Sequence, residues 1–365
     1  MSELRQLYQI WREQLKELCN WKRPEHSKVL AWLMVAVFIS KDVCLDRLGL
    51  YLPHEAKPES IGQQFRRWLK NKAIDPRLIY DPVARQLLRR MRCRRLYVQI
   101  DRVQIKQRQN VLMLSVRYRR RAIPLAWICL PYGHGSSNSK QWRTLLDHLA
   151  DLVDEQHEVI ILADREFGSV ERMSYVREKK WFYAIRLKGN IYTYSANRPA
   201  GNAWLKLNAV APEKGTQRWL KGIRLTKTDY FVTNMACAWA IGSKDPWFIA
   251  TNLPDVKQAL KAYARRFGCE ELFSDLKKRG FNWEDSRIRD PQRFSRLLVA
   301  LALLVVFLLT LGRQVRLRQL DLEITSPSHR YRLSLFQMAR RWLLLRCARD
   351  QLPRWLYEYP FGHIV

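Results

Sequence analysis

Apolar positions along the first ninety residues recur at helical spacing. They predict a helix over 4–19, a second over 29–39 opened by His26 and Ser27, and a third over 60–72, with Pro53 and Pro58 bracketing the loop between the last two. In the third, Arg66, Arg67, Lys70 and Lys72 surround Phe65, Trp68 and Leu69, which suits either a helix entering a DNA groove or an ordinary solvated basic face. The texture changes near Cys93. Residues 96–100 read as a strand running into Asp101, and 111–118 and 122–130 as two more, joined by Arg119, Arg120 and Arg121. A helix is predicted over 139–153. The run Val159-Ile160-Ile161-Leu162-Ala163 is continuously apolar, as in a strand buried on both faces, and it ends at Asp164. A helix over 169–179 and a strand over 182–187 follow. Between 189 and 252, Gly, Asn, Thr and Pro punctuate short β-like runs at 219–225, 230–233, 236–241 and 247–250. Helical periodicity resumes over 255–278, and 291–350 also reads as helical. The apolar run 297–309 is shorter than the roughly 18 residues of a membrane span and predicts a buried core helix.

Charge narrows the partners. Lys and Arg number 65 against 34 Asp and Glu, a net charge of +31. An enzyme of small metabolites has no use for that excess, which raises self-repulsion. Nucleic acid is the leading partner to offset it, because each neutralised phosphate releases counterions; a ribosome-like or membrane-surface basic protein would carry the same excess. A hydrophobic content of 47% with 14 Trp predicts folded domains, two or three over 365 residues, and excludes a disordered basic tail. Seven Cys occur without a C-x-x-C pair, so neither a zinc site nor a disulfide framework is indicated. The first residues carry no signal-peptide pattern, so a cytoplasmic protein is expected.

Three acids could carry chemistry. Asp101 and Asp164 each close a predicted strand, and on adjacent strands both carboxylates would emerge at one sheet edge. Hard cations such as Mg²⁺ take oxygen ligands, and a pair of them can activate an attacking oxygen and stabilise a leaving one. An Asp after a strand is equally an ordinary cap. Further on, Tyr263, Arg266, Glu270 and Lys277 fall at offsets that project within an arc of roughly 60° on one helix face. That stripe could complete a metal site and hold phosphates beside it. A solvated face with an Arg266–Glu270 pair one turn apart would show the same spacing.

The pattern Y-x2-R-x3-E-x6-K over 263–277, together with Asp164-Arg165-Glu166, resembles the signature of the insertion-sequence-four (IS-four) family of bacterial transposases. The likeness spans roughly 93–285. It implies an α/β fold: an RNase H-like catalytic core interrupted by a β-rich insertion, with an N-terminal helical domain and a C-terminal helical region. The expected division is 1–92 (helical, DNA-binding), 93–188 (first part of the core), 189–252 (insertion), 253–290 (helix of the third acid) and 291–365 (C-terminal helices). By position, Asp101, Asp164 and Glu270 become the catalytic triad and the ligands of Mg²⁺ or Mn²⁺, two ions in all. Tyr263, Arg266 and Lys277 become DNA-strand contacts. Trp247, within Asp245-Pro246-Trp247-Phe248-Ile249-Ala250-Thr251, is similar to the family tryptophan that stacks on a flipped base. The implied activity is cut-and-paste transposition of an insertion sequence: hydrolysis of one strand, then attack by the freed 3′-hydroxyl. The implied partners are double-stranded DNA, as transposon ends and target, and a second copy of the chain in a synaptic complex. No membrane is involved, and the setting is the nucleoid of a bacterial cytoplasm. An RNase H-like nuclease or junction resolvase would share the acids but not join strands. A non-catalytic, domesticated DNA-binding protein would bind without cleaving.

Overall fold

Val159, Ile161 and Ala163 belong to one hydrophobic core and Ile160 and Leu162 to another, on opposite faces of a single strand. Burial on both faces is why this segment is apolar at every position. In the computed structural model, which describes residues 3–133, 138–194 and 204–357, that strand lies inside a ten-stranded sheet.

The chain begins with helices α1 (Glu3–Leu18), α2 (Glu25–Ser40), α3 (Leu45–Leu48), α4 (Pro58–Lys70) and α5 (Pro76–Arg90). Helix α2 starts ahead of the expected His26–Ser27 cap. Pro24 sits at its N-cap without a side-chain bond, and the Ser27 hydroxyl donates back to the Pro24 carbonyl at 2.6 Å. Helix α4 buries Ile61, Phe65, Trp68 and Leu69 and leaves Arg67 and Lys70 exposed, while Lys72 lies beyond its end.

The sheet elements follow as β1 (Arg95–Ile105), β2 (Gln109–Tyr118), β3 (Arg121–Pro131), helix α6 (Ser139–Leu152), β4 (Glu158–Ala163), helix α7 (Val170–Glu178) and β5 (Phe182–Arg186). Then come β6 (Tyr192–Tyr194), β7 (Leu205–Lys206), β8 (Gln217–Leu225), β9 (Phe231–Ala238) and β10 (Trp247–Thr251). The strand order is β3-β2-β1-β4-β5-β10-β9-β8-β6-β7. Strands β1, β4 and β5 run parallel to one another, and β2 and β3 add antiparallel strands at one side. Beyond β5 every pairing is antiparallel. The stretch expected as an insertion therefore extends the same sheet, and β10 pairs directly with β5, Ala250 opposite Ile185. Strand partners are set by long-range pairing, which local periodicity does not reveal.

Helices α8 (Val256–Ala264), α9 (Gly268–Leu276), α10 (Pro291–Leu317) and α11 (Leu335–Ala348) complete the fold. Asp290 caps α10 by accepting from the Arg293 N–H at 2.7 Å, with Pro291 in the first turn. Helix α10 is long and apolar enough to cross a membrane, yet 94% of its most apolar window is buried inside the protein. It is surrounded by α2, α4, α5, α11 and β3, and a helix covered on all sides is apolar all round. Buried Arg296 ties it to the N-terminal helices, donating to the carbonyls of Ile74 at 2.9 Å and Leu69 at 3.1 Å. Gly312 lets α11 begin against α10, since a Cβ there would lie 2.1 Å from the Leu335 carbonyl oxygen.

Candidate active site

In the parallel ladder of β1 and β4, Ile100 faces Ala163. The next residues are Asp101 and Asp164, so the two acids stand side by side on neighbouring strands, which are about 4.8 Å apart. Each carboxylate accepts from the backbone N–H that follows it, Arg102 at 2.8 Å and Arg165 at 2.6 Å. The Asp101 side chain is 17% exposed. Burial lifts its pKa to about 6; the Arg266 guanidinium and the Arg102 N–H pull it down, and the nearby charges of Asp164 and Glu270 push it up.

The single helix expected over 255–278 is two helices joined by a tight turn at Arg265–Phe267. Helix α8 lies over β4, β5, β9 and β10, and α9 over β1, β2 and β3. The break falls where side chains from the sheet capture the Arg265 carbonyl: Gln99 Nε2 at 2.9 Å and Arg117 Nη1 at 3.0 Å. Gln99 is fully buried on β1. It is a positioning residue that the sequence reading missed, because a Gln inside a strand gives no local signal.

Helix α9 ends at Leu276, so Lys277 does not continue the stripe; its backbone leaves the helical region with ψ −147°, and its ammonium lies 3.3 Å from Glu284. The chain reverses here, with Asn282 N–H donating to the Lys277 carbonyl at 2.9 Å. The reversal depends on Gly280, where a Cβ would lie 1.8 Å from the Asp275 carbonyl oxygen.

The remaining three residues of the pattern do converge. Arg266 Nη1 donates to Asp101 Oδ2 at 3.0 Å and Nη2 to Glu270 Oε1 at 2.7 Å. The Tyr263 hydroxyl makes a long contact, 3.5 Å, to Asp164 Oδ1. Tyr263 and Arg266 are buried, not laid along an open stripe as the spacing suggested, whereas the Glu270 side chain is 55% exposed. Burial lifts the Tyr263 phenol to about 12, so it stays a neutral donor. Burial opposes the charge on Arg266, but Tyr263, Asp101, Asp164 and Glu270 together hold its pKa above the ordinary value. A further pair, Arg102 with Glu166 at 2.8 Å, links β1 to the turn after Asp164.

Trp247 opens β10 and packs edge-on against Tyr263, ring centroids 5.0 Å apart, with Phe267 at 6.1 Å. It is half-buried and lines a cleft of about 480 Å³ with Trp239, Leu260 and Ala264.

Three carboxylates are the donor set of a hard divalent cation. Among the described residues no three acidic, His or Cys side chains stand close enough to enclose an ion. The Arg266 guanidinium lies between Asp101 and Glu270 and supplies the positive charge there. Asp101, Asp164 and Glu270 are of the oxygen-donor type a divalent cation takes, and in this structure Arg266 holds two of them.

Residues 134–307 match the family model described as transposase DDE domain. This match marks the chain as a DNA transposase. The matched segment contains Asp164, Trp247, Tyr263, Arg266, Glu270 and Lys277 and begins after Asp101. DNA cleavage and strand transfer with divalent metal is the chemistry of this transposase. Among solved structures, the chain is similar to one titled "Cryo-EM structure of piggyBac transposase synaptic complex with hairpin DNA", 11% identical, with 97% of this chain and 86% of that chain covered and a TM-score of 0.41. That likeness is too loose to bear on the site. Comparison with curated proteins gives no match.

Proposed function

We propose that this transposase is a cut-and-paste enzyme of the IS-four family, with Asp101, Asp164 and Glu270 as its catalytic, metal-holding triad. The observation that carries this reading is the bridge from motif to strands. Arg266 contacts both Asp101 and Glu270, and Tyr263 reaches Asp164. Spacing along the chain supplies no such link. The order β3-β2-β1-β4-β5, with β1, β4 and β5 parallel, supports an RNase H-like core, and β6 to β9 support an insertion carried on its sheet.

Asp101, Asp164 and Glu270 would hold the divalent cation, Mg²⁺ or Mn²⁺ and two ions in this reading, which when bound would supply Lewis-acid stabilisation of the attacking and leaving oxygens. The protein's own residues prepare the place. Backbone N–H groups fix one oxygen each of Asp101 and Asp164, and Arg266 orients Glu270. Lys277 and Trp247 are kept as DNA contacts, Lys277 from the turn after α9 and Trp247 from the mouth of its cleft. The substrates are duplex transposon ends and target DNA, which the net charge of +31 suits. The working form is a dimer that brings two ends together, in a bacterial cytoplasm at the nucleoid.

The test is incubation of the purified protein with its own element's ends and Mg²⁺, followed by strand-resolved mapping of products. Glu270→Gln, Asp101→Asn and Asp164→Asn should each lower cleavage by well over about tenfold while end binding persists. Cleavage within tenfold of wild type removes that residue from the triad, and cleavage without joining identifies a nuclease instead.

A further inference from the structure

The turn between β2 and β3 carries Arg119 and Arg120. With Arg313 and Arg316 of α10, and with Tyr331 and Arg332 ahead of α11, it lines a cleft of about 650 Å³. The one acid among the lining residues is Glu271, already engaged by Arg121 and lying 3.7 Å from Arg279. The cleft is therefore cationic, with Asp321 behind Arg316 as a further compensating acid. Two of its donors, the Nε groups of Arg313 and Arg316, are buried without a partner. The outward guanidinium nitrogens of these two, and those of Arg119, Arg120 and Arg332, are what the cleft offers a polyanion.

The aromatic in the cleft gives the acceptor more identity. Tyr331 is 79% exposed. The Arg316 guanidinium lies 5.4 Å from its ring centroid, while Arg316 Nη2 donates to the Leu333 carbonyl at 3.2 Å. An exposed ring braced by a guanidinium and surrounded by arginines combines the two parts of a single-strand site: cations for the backbone and a π surface for a base. The cleft also adjoins the catalytic helix, since Glu271 follows Glu270 on α9.

We propose that this cleft holds one strand of DNA on the flank of α9, away from the Asp101 end of β1, its phosphates on Arg120, Arg313 and Arg332 and one base on Tyr331. The proposal rests on the transposase reading, which makes DNA the polyanion present.

The experiment measures binding of labelled single-stranded DNA by fluorescence anisotropy in metal-free buffer, where no cleavage complicates the signal. Tyr331→Ala should weaken binding by about 5- to 150-fold, and Tyr331→Phe should restore most of it. Arg120→Gln and Arg332→Gln should each flatten the log–log salt dependence by about 0.7. Arg349→Gln, at an exposed position outside the cleft, should leave binding near wild type, and thermal melts should show every variant folded. Wild-type affinity in Tyr331→Ala overturns the proposal, as does a loss in Arg349→Gln equal to that in Arg332→Gln. Equal competition by poly-glutamate overturns it too, in favour of an acidic protein segment. If the wild type binds no DNA at all, the transposase reading falls; if it binds and the cleft variants are unchanged, only the cleft falls.

Discussion

The Arg266 guanidinium donates at 3.0 Å to the Asp101 carboxylate, a residue 165 positions earlier in the chain. The arginine of the helical motif is thus the internal counter-ion of the strand acid. It serves Glu270 as well, at 2.7 Å one turn further along. Burial disfavours the charged form of Asp101, and Arg266 is what offsets this in the metal-free protein.

Arg266→Gln should therefore destabilise the metal-free protein in a pH-dependent way. Above about pH 6 Asp101 is charged and would lose its nearest cation; breaking a buried pair costs about 3–5 kcal/mol. Below that pH Asp101 takes up a proton and most of the loss disappears. Urea unfolding at pH 5 and pH 8 measures the difference. An equal loss at both would show that Arg266 acts by packing alone.

Asp275 provides a pH dependence away from Asp101, Asp164 and Glu270. It is buried in the last turn of α9, with Oδ2 3.2 Å from Arg121 Nη1. Burial lifts its pKa to about 7, outweighing the Arg121 charge. Since the folded state holds this proton more tightly than the unfolded chain, its stabilising share is full at low pH. That share is lost as pH rises from about 4 through about 7. The total is at most a few kcal/mol, at about 1.4 kcal/mol per pKa unit. Stability of the wild type should fall across that window, and Asp275→Asn should flatten the fall. Parallel pH profiles for the two proteins would rule out Asp275 as the source.

Much of this was legible because local pattern and tertiary structure agree. The apolar run ending at Asp164 reads as a strand buried on both faces, and β4 is one, with its acid beside Asp101. The strand–strand–strand–helix–strand–helix–strand order up to β5 also follows from periodicity. What could not be read was decided by atoms far apart in sequence. Gln99 and Arg117 break the motif helix by taking the Arg265 carbonyl. Gly280 turns the chain away so that Lys277 leaves the stripe. Helical projection places Tyr263 and Arg266 on a face but does not say whether that face meets solvent or the sheet, and here it meets the sheet's acids. The cationic cleft draws on the turn between β2 and β3, α9, α10 and the segment before α11, four stretches that no single window joins.

Trp247 separates two roles that sequence alone leaves merged. Its ring meets Tyr263 edge-on at 5.0 Å, and Tyr263 in turn reaches Asp164. It also lines an open cleft, where a base drawn from a DNA end could stack. Unstacking a base costs a few kcal/mol, and an aromatic platform returns about 1–3 kcal/mol. If stacking is its work, Trp247→Ala should leave first-strand nicking intact and slow the following step by about 5- to 150-fold. Trp247→Phe, which keeps a ring, should recover much of the rate. A 2-aminopurine placed near the end should brighten less in Trp247→Ala than in the wild type, because the flipped state is less populated. If Trp247→Ala instead lowers nicking and joining in equal measure, with the 2-aminopurine signal unchanged, the ring serves to brace Tyr263 against Asp164, and the base finds its platform elsewhere.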